Sequence, residues 1–297
     1  MSKVVLIETD DRHRGVVEAL STLDSYAVKN KEIFIKPNFN TADEPPGSTH
    51  NDTLCALIDQ IWAMGAKSIS LGERSFPVTQ EVLMQKGVMP LLREKDVKVI
   101  DFDGLGKKDW VEYKPKDSHW TNGFRIAKPI LDAECLVSTC CLKTHQFGGV
   151  FTLSLKLHVG VVPTVRNGFQ YMKELHQSPY QQEMIAEINQ PFSPVIVLLD
   201  GIEAFVDGGP ATGKKVKGNV LLVASDRVAL DAVGVAILKH LGSNEAIMDK
   251  KIYEQKQIAR AAELEIGAQS PSEIEVVAAN KQSENYRNQV NEILLRG

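Results

Sequence analysis

Long apolar runs are missing from this chain of 297 residues. Nothing approaches the roughly 20 consecutive apolar residues that span a bilayer. The longest run, Val228 to Leu241, is interrupted by Asp231 and Lys239 and reads as a buried helix. The first residues, Met1-Ser-Lys-Val-Val-Leu-Ile-Glu, form an apolar stretch too short for a secretory signal and lack a small-residue cleavage site. A cytoplasmic protein with no membrane partner is expected. Charge of one sign is also lacking: 34 basic against 38 acidic residues leave −4. No global basic field therefore recruits nucleic acid.

Cysteine is scarce, with four residues at Cys55, Cys135, Cys140 and Cys141. Neither C-x-x-C nor ferredoxin-type spacing occurs, so the chain has no iron–sulfur motif of its own and its thiols read as reduced. No paired-histidine zinc motif is present. The residue types give no metal site, and a set assembled from distant positions such as Glu73, His145 and Asp200 would be invisible to spacing. The cofactor is left open. The stretch Gly208-Gly-Pro-Ala-Thr-Gly213-Lys214 imitates a phosphate loop. However, Lys215 stands where Ser or Thr would bind magnesium, and no helix follows.

What is present is an α/β rhythm. Strand-like runs at Lys3–Glu8, Glu32–Lys36, Lys67–Leu71 and Lys98–Ile100 alternate with helix-like ones. The spacing predicts a helix from about Arg12 to Leu23, and another capped by Asp52 or Thr53 and stopped by Gly65. The expected fold class is α/β, a mostly parallel sheet with helices on both faces. A small antiparallel insertion is expected from Trp110-Val-Glu-Tyr and Phe124-Arg-Ile-Ala, within residues 103–125. Later strands are expected at Cys135–Cys141, Pro194–Leu199, Asn219–Ala224 and Glu273–Ala278. Ser225-Asp226 caps the long apolar helix, and residues 163–178 read as a loop over a site. One domain over residues 1–297 is expected, with two lobes of about 1–125 and 126–297 as the alternative.

In open parallel sheets ligands bind beyond the carboxyl ends of the strands. The polar residues closing these strands are Lys36 and Asn38, Glu73, Lys143 and His145, and Asp200. Lys143-Thr-His145 is the sharpest signal, because it delivers a cation and a group titrating near neutral pH to one loop. Between Thr152 and Gly160, Thr152, Ser154, Lys156 and His158 share a face if the segment is a strand. Lys156 stands one turn from Thr152 if it is a helix. Thr49, His50 and the glycine loop at Gly209 complete the expected substrate contacts.

The ordered set Ile35-Lys36-Pro-Asn38, Ser48-Thr49, Gly72-Glu73, Leu142-Lys143-Thr-His145, Thr152-Leu-Ser-Leu-Lys156, Gly160, Leu199-Asp200-Gly201, Gly208-Gly-Pro210 and Ala224-Ser-Asp226-Arg-Val-Ala-Leu-Asp231 resembles the family known as domain of unknown function 362. The resemblance implies a prokaryotic protein whose family domain sometimes accompanies iron–sulfur modules, so a redox role here requires a separate partner or cofactor. This chain departs from the pattern at Leu157, where the family tends to place Asn after the lysine.

The leading expectation is an enzyme that moves a proton on a small anionic metabolite, of isomerase, racemase or lyase type. Lys36 and Lys156 bind substrate charge, Asn38 orients it, and His145 with Lys143 moves the proton. Asp200 or Glu73 fixes the histidine tautomer or serves as a second acid/base. The alternatives are a redox enzyme or electron-transfer partner and a non-catalytic ligand-binding protein, each alone or as a homo-oligomer.

Overall fold

The computed structural model describes residues 1–23 and 25–297. Its frame is one mixed sheet. The principal strands are β1 (Ser2–Glu8), β2 (Glu32–Lys36), β3 (Ser68–Glu73) and β4 (Val97–Asp101) in the first third. A separate antiparallel ribbon follows, β5 (Trp110–Tyr113) with β6 (Phe124–Ala127), as expected of that insertion. The second half supplies β7 (Cys135–His145), β8 (Val150–Thr152), β9 (Ile196–Gly208), β10 (Gly213–Lys217), β11 (Val220–Ala224) and β12 (Ile274–Ala278). The spatial order is β12-β1-β11-β9-β7-β2-β3-β4, with β8 and β10 attached to the far parts of β7 and β9.

Helices cover both faces because the buried strands alternate between two cores. Ile33, Ile35, Leu71, Val137, Leu198 and Val223 point to one side and pack on Val16, Leu57, Ile61 and Leu83 of the first-half helices. Phe34, Leu136, Val197, Leu199 and Leu222 point to the other side. There they meet the buried helix Arg227–His240, the helices of the last third and the β5–β6 ribbon. The chain is thus an α/β protein with a mostly parallel sheet; β11 alone among the eight central strands runs against its neighbours.

Two differences from the sequence reading shape the site. First, β7 and β9 do not stop near Cys141 and Leu199. Lys36, the last residue of β2, pairs with Ser138, and β7 runs seven residues further to His145. At a strand rise of ~3.3 Å, that places His145 about 23 Å beyond the end of β2. β9 runs beside it, turns through Gly209–Thr212 and returns as β10 and then β11. So short a turn permits only an antiparallel return, which is why β11 is reversed. The result is a four-stranded ridge standing on the carboxyl edge of the sheet. Second, the segment after Gly148 is neither one strand nor one helix. The strand ends at Thr152, and a short helix, Ser154–Leu157, follows, then a 3-10 turn, His158–Val161.

Candidate functional site

At the foot of the ridge Lys36 and Glu73 meet. Lys36 Nζ donates to Glu73 Oε1 at 2.7 Å and to its neighbour's carbonyl, Pro37 O, at 2.7 Å. The carboxylate is completed by the backbone N–H groups of Phe39 (2.9 Å) and Arg74 (2.9 Å). Both side chains are almost fully buried. Burial lowers the Lys36 pKa, and the attraction of Glu73 opposes it. Gly160 lies directly over this pair, since a Cβ there would stand 3.1 Å from both charged groups. Every polar atom of the pair is answered by the protein itself, so its geometry is that of a fixed buried ion pair.

Higher on the ridge the pattern is the reverse. Lys143 is buried and donates to two carbonyls, Gly47 O at 2.5 Å and Pro210 O at 3.2 Å, with no ion pair among the described residues. Burial lowers its pKa. Lys156, on the short helix, is buried with neither hydrogen bond nor ion pair among the described residues. Burial first, and the charge of Lys143 second, bring its pKa down to about 8. His145 is next to it: a Cβ on Gly149 would lie 2.7 Å from Lys156 Cε and 3.2 Å from His145 Nδ1. His145 accepts the Phe147 N–H at Nδ1 (3.2 Å), which leaves the proton of the neutral ring on Nε2. Burial and then the two lysines push its pKa down to about 2. His145 is therefore neutral at physiological pH, and the expectation of a histidine titrating near neutrality is corrected. Beside it, Lys156 has a pKa near the working range.

The segment after residue 162, expected to be a loop, contains the helix Tyr171–Gln177 and closes against the strand ends. Arg74 is buried under it, donating to Thr164 Oγ1 at 2.8 Å and to Met172 Sδ at 3.5 Å. Its Nε has no partner among the described residues. His176 takes an amide hydrogen from Gln181 (3.0 Å) and is held neutral by burial, then by Lys156 and Arg74, whose fields both reach it.

The remaining expected residues lie elsewhere. Asp200, paired in register with Cys141, accepts from Arg12 Nε (2.9 Å), Thr53 Oγ1 (2.6 Å) and the Ile202 N–H (3.1 Å). His50 faces that cluster and caps the helix Asn51–Ala63 by accepting the Asp52 N–H at 3.1 Å, a role the sequence reading gave to Asp52 or Thr53. Neither Asp200 nor Glu73 bonds to His145, so its tautomer is fixed by backbone alone. Asn38 spans between, with its N–H on Thr49 Oγ1 (3.0 Å) and its amide on Cys141 Sγ (3.6 Å). His158 is sealed in the interior between Ser138 Oγ (2.9 Å) and Asn189 Oδ1 (2.8 Å). Gly209 has φ +71° and packs on the β7 backbone so closely that a Cβ would be 2.0 Å from Thr144 O. It clamps the hairpin against the strand that carries Lys143. Cys140 and Cys141 are buried, and burial pushes both thiols up, so they are protonated and unreactive. Among the described residues, no three His, Cys, Asp or Glu side chains converge as a metal site would require.

Residue-type reasoning passed over Arg74, His176 and Asp231. Asp231 is fully buried on the helix Arg227–His240 and accepts the N–H groups of Ser154 (2.8 Å) and Leu155 (3.0 Å) and the Ser154 hydroxyl (2.5 Å). Burial raises its pKa to about 7 against those bonds. It anchors the start of the helix that carries Lys156. An acid at the centre of an otherwise apolar helix was the available signal.

Comparison with known proteins follows from the same residues. A thylakoid-associated protein, sll1697, of Synechocystis sp. (strain ATCC 27184 / PCC 6803 / Kazusa) is 25% identical over 228 residues, covering 76% of this chain and 68% of the relative. Among solved structures, the lactate racemase apoprotein from Thermoanaerobacterium thermosaccharolyticum aligns with a TM-score of 0.49 and 16% identity. The alignment covers 76% of this chain and 55% of that one, so the chain spans about half the length of the solved protein. Residues 33–236, which hold β2 through most of the buried helix and every strand-end residue described above, match the model of one family, and the chain belongs to it: the domain of unknown function DUF362.

Proposed function

We propose that this chain is an enzyme that binds a small anionic metabolite beside the ridge and transfers a proton on it, with the Lys156 amine as the base. The observation that carries the reading is that amine, buried and without a polar partner among the described residues, and burial brings its pKa to about 8. An ordinary lysine near 10.5 holds its proton at neutral pH, whereas a value of 8 leaves about a tenth of the molecules unprotonated at pH 7. A base poised near the working pH is what general-base catalysis needs. Lys143 then supplies a fixed positive charge, and the Nε2–H of His145 a neutral donor. Both suit the negative charge that develops when a proton leaves a carbon next to a carboxylate. Isomerases, racemases and lyases share that step, and the reading goes no further among them.

This assignment moves the proton-transferring role from His145 to Lys156 and gives Lys36 and Glu73 to the framework. A cytoplasmic setting belongs to the same proposal. No described helix is long and apolar enough to cross a membrane. The association named for the cyanobacterial relative makes a membrane-surface location the alternative, which cell fractionation decides.

The test is proton exchange with solvent. In heavy water, a panel of small carboxylates and phosphorylated acids is incubated with the protein and followed by proton NMR. At least one compound should lose a carbon-bound proton signal with wild type and keep it with Lys156→Met. Binding of panel members without exchange in any of them would turn the reading to a non-catalytic binding protein.

A further inference from the structure

The ledger of buried cations in this region does not balance. Lys36 has Glu73, but three others have no ion pair among the described residues. Lys143 rests on two carbonyl oxygens, and Lys156 has no polar partner among the described residues. Arg74 has a hydroxyl, a thioether and a buried Nε with no partner among the described residues. Asp103 feels the field of Arg74 from beyond ion-pair distance, and burial pushes its own carboxyl pKa up. Isolated buried charges are expensive, and a guanidinium is built to be answered by a planar anion in a two-bond fork. A bound anion would supply the missing charge.

They also fall in two places. Lys143 and Lys156 belong to the ridge at β7, while Arg74 follows β3, and β2 lies between those strands. Lys143 stands five residues past the level of Lys36 and Arg74 two. With strands ~4.8 Å apart and a rise of ~3.3 Å per residue, the backbones of the two poles are about 10 Å apart laterally and about 10 Å along the strands before the side chains reach inward. His176 lies between the poles, within the fields of both Lys156 and Arg74, and is neutral there. A single carboxylate can satisfy only one pole.

We propose that the ligand is a short-chain dianion, carrying an anionic group at each end, one held by Lys143 and Lys156 and the other by Arg74 with Thr164. This rests on the proton-transfer reading of the same site and adds the second anionic group, which sets specificity. Carboxylate and phosphate share the chemistry at the Arg74 pole, and the probes separate them.

The experiment is calorimetric titration of the full chain at neutral pH with succinate, butyrate and phosphoglycolate, each also given to Arg74→Gln and Thr164→Val. Succinate should bind at least about tenfold tighter than butyrate, the advantage of a second charge-assisted contact. Arg74→Gln should bring succinate down to the level of butyrate. Thr164→Val, which removes one hydroxyl and keeps the guanidinium, should lower succinate affinity by a smaller factor and keeps the test valid if Arg74→Gln does not fold. A still tighter phosphoglycolate would identify phosphate as the group at that pole. Equal affinity for succinate and butyrate, a preference that survives Arg74→Gln, or no binding of any dianion would overturn the inference. Equal affinity with solvent exchange intact would leave the proton-transfer reading standing. A dianion preference without exchange at any compound would remove that reading alone.

Discussion

Two lysines that look alike in the sequence, each closing or following an apolar run, end in opposite situations. Lys36 is matched by Glu73 and the Pro37 carbonyl, whereas Lys156 has no polar partner among the described residues. Opposite mutational outcomes follow. Lys36→Met leaves the Glu73 carboxylate buried without its cation and should destabilise the fold by about 3–5 kcal/mol in urea unfolding; the double variant Lys36→Met/Glu73→Leu should recover much of that loss. Lys156→Met removes a buried amine that the folded state holds at a depressed pKa. Because its folded value lies near 8 and its unfolded value near 10.5, wild type carries the full penalty below pH 8 and sheds it as pH rises between the two. The variant should therefore be more stable than wild type by up to about 3 kcal/mol at pH 7, with the gap closing above pH 8. Loss of function with gain of stability is the signature of a residue retained for chemistry.

At the scale of elements, the short helix Ser154–Leu157 has too few residues to be stable alone and is held from outside. Asp231 supplies the hold by accepting its first two N–H groups and the Ser154 hydroxyl. Asp231→Ala should cost about 2–4 kcal/mol in urea unfolding and weaken solvent exchange further at conditions where the variant is still folded. Asp231→Asn keeps one acceptor and should lose less. In wild type the raised carboxyl pKa makes stability fall as pH rises from about 4 to about 7, and both variants should flatten that slope. This element was illegible in the sequence. Thr152, Ser154, Lys156 and His158 alternate as a strand would, yet the chain switches from strand to helix at Leu153 to satisfy Asp231, a partner 77 positions away. The ridge was missed for a related reason. The sequence reading ended that strand at Leu199, and its continuation past Asp200 depends on pairing with β7 and β10.

At the scale of the whole molecule, the features carried by local pattern were readable. The alternation of apolar strands and helices, the ribbon at Trp110 and Phe124, the capping of the buried helix by Asp226 and the concentration of polar residues at strand ends all follow from periodicities of two and 3.6. What could not be read was which strand-end residues answer one another. Lys36 with Glu73, Asp200 with Arg12 and Thr53, and Arg74 with Thr164 are pairings made by sheet order and crossovers, across separations of 37 to 188 positions. Sheet order also divides the expected residues into three groups, a sealed pair, a cluster around Asp200, and the unpaired cations beside the ridge. Only the third has charge left over for a ligand. The account therefore turns on the protonation of one amine in that group. Its direct test is an NMR titration that follows lysine side-chain carbons in wild type and assigns Lys156 by comparison with Lys156→Met. The account requires a midpoint near pH 8 for that signal; a midpoint at the ordinary lysine value near 10.5 would contradict it.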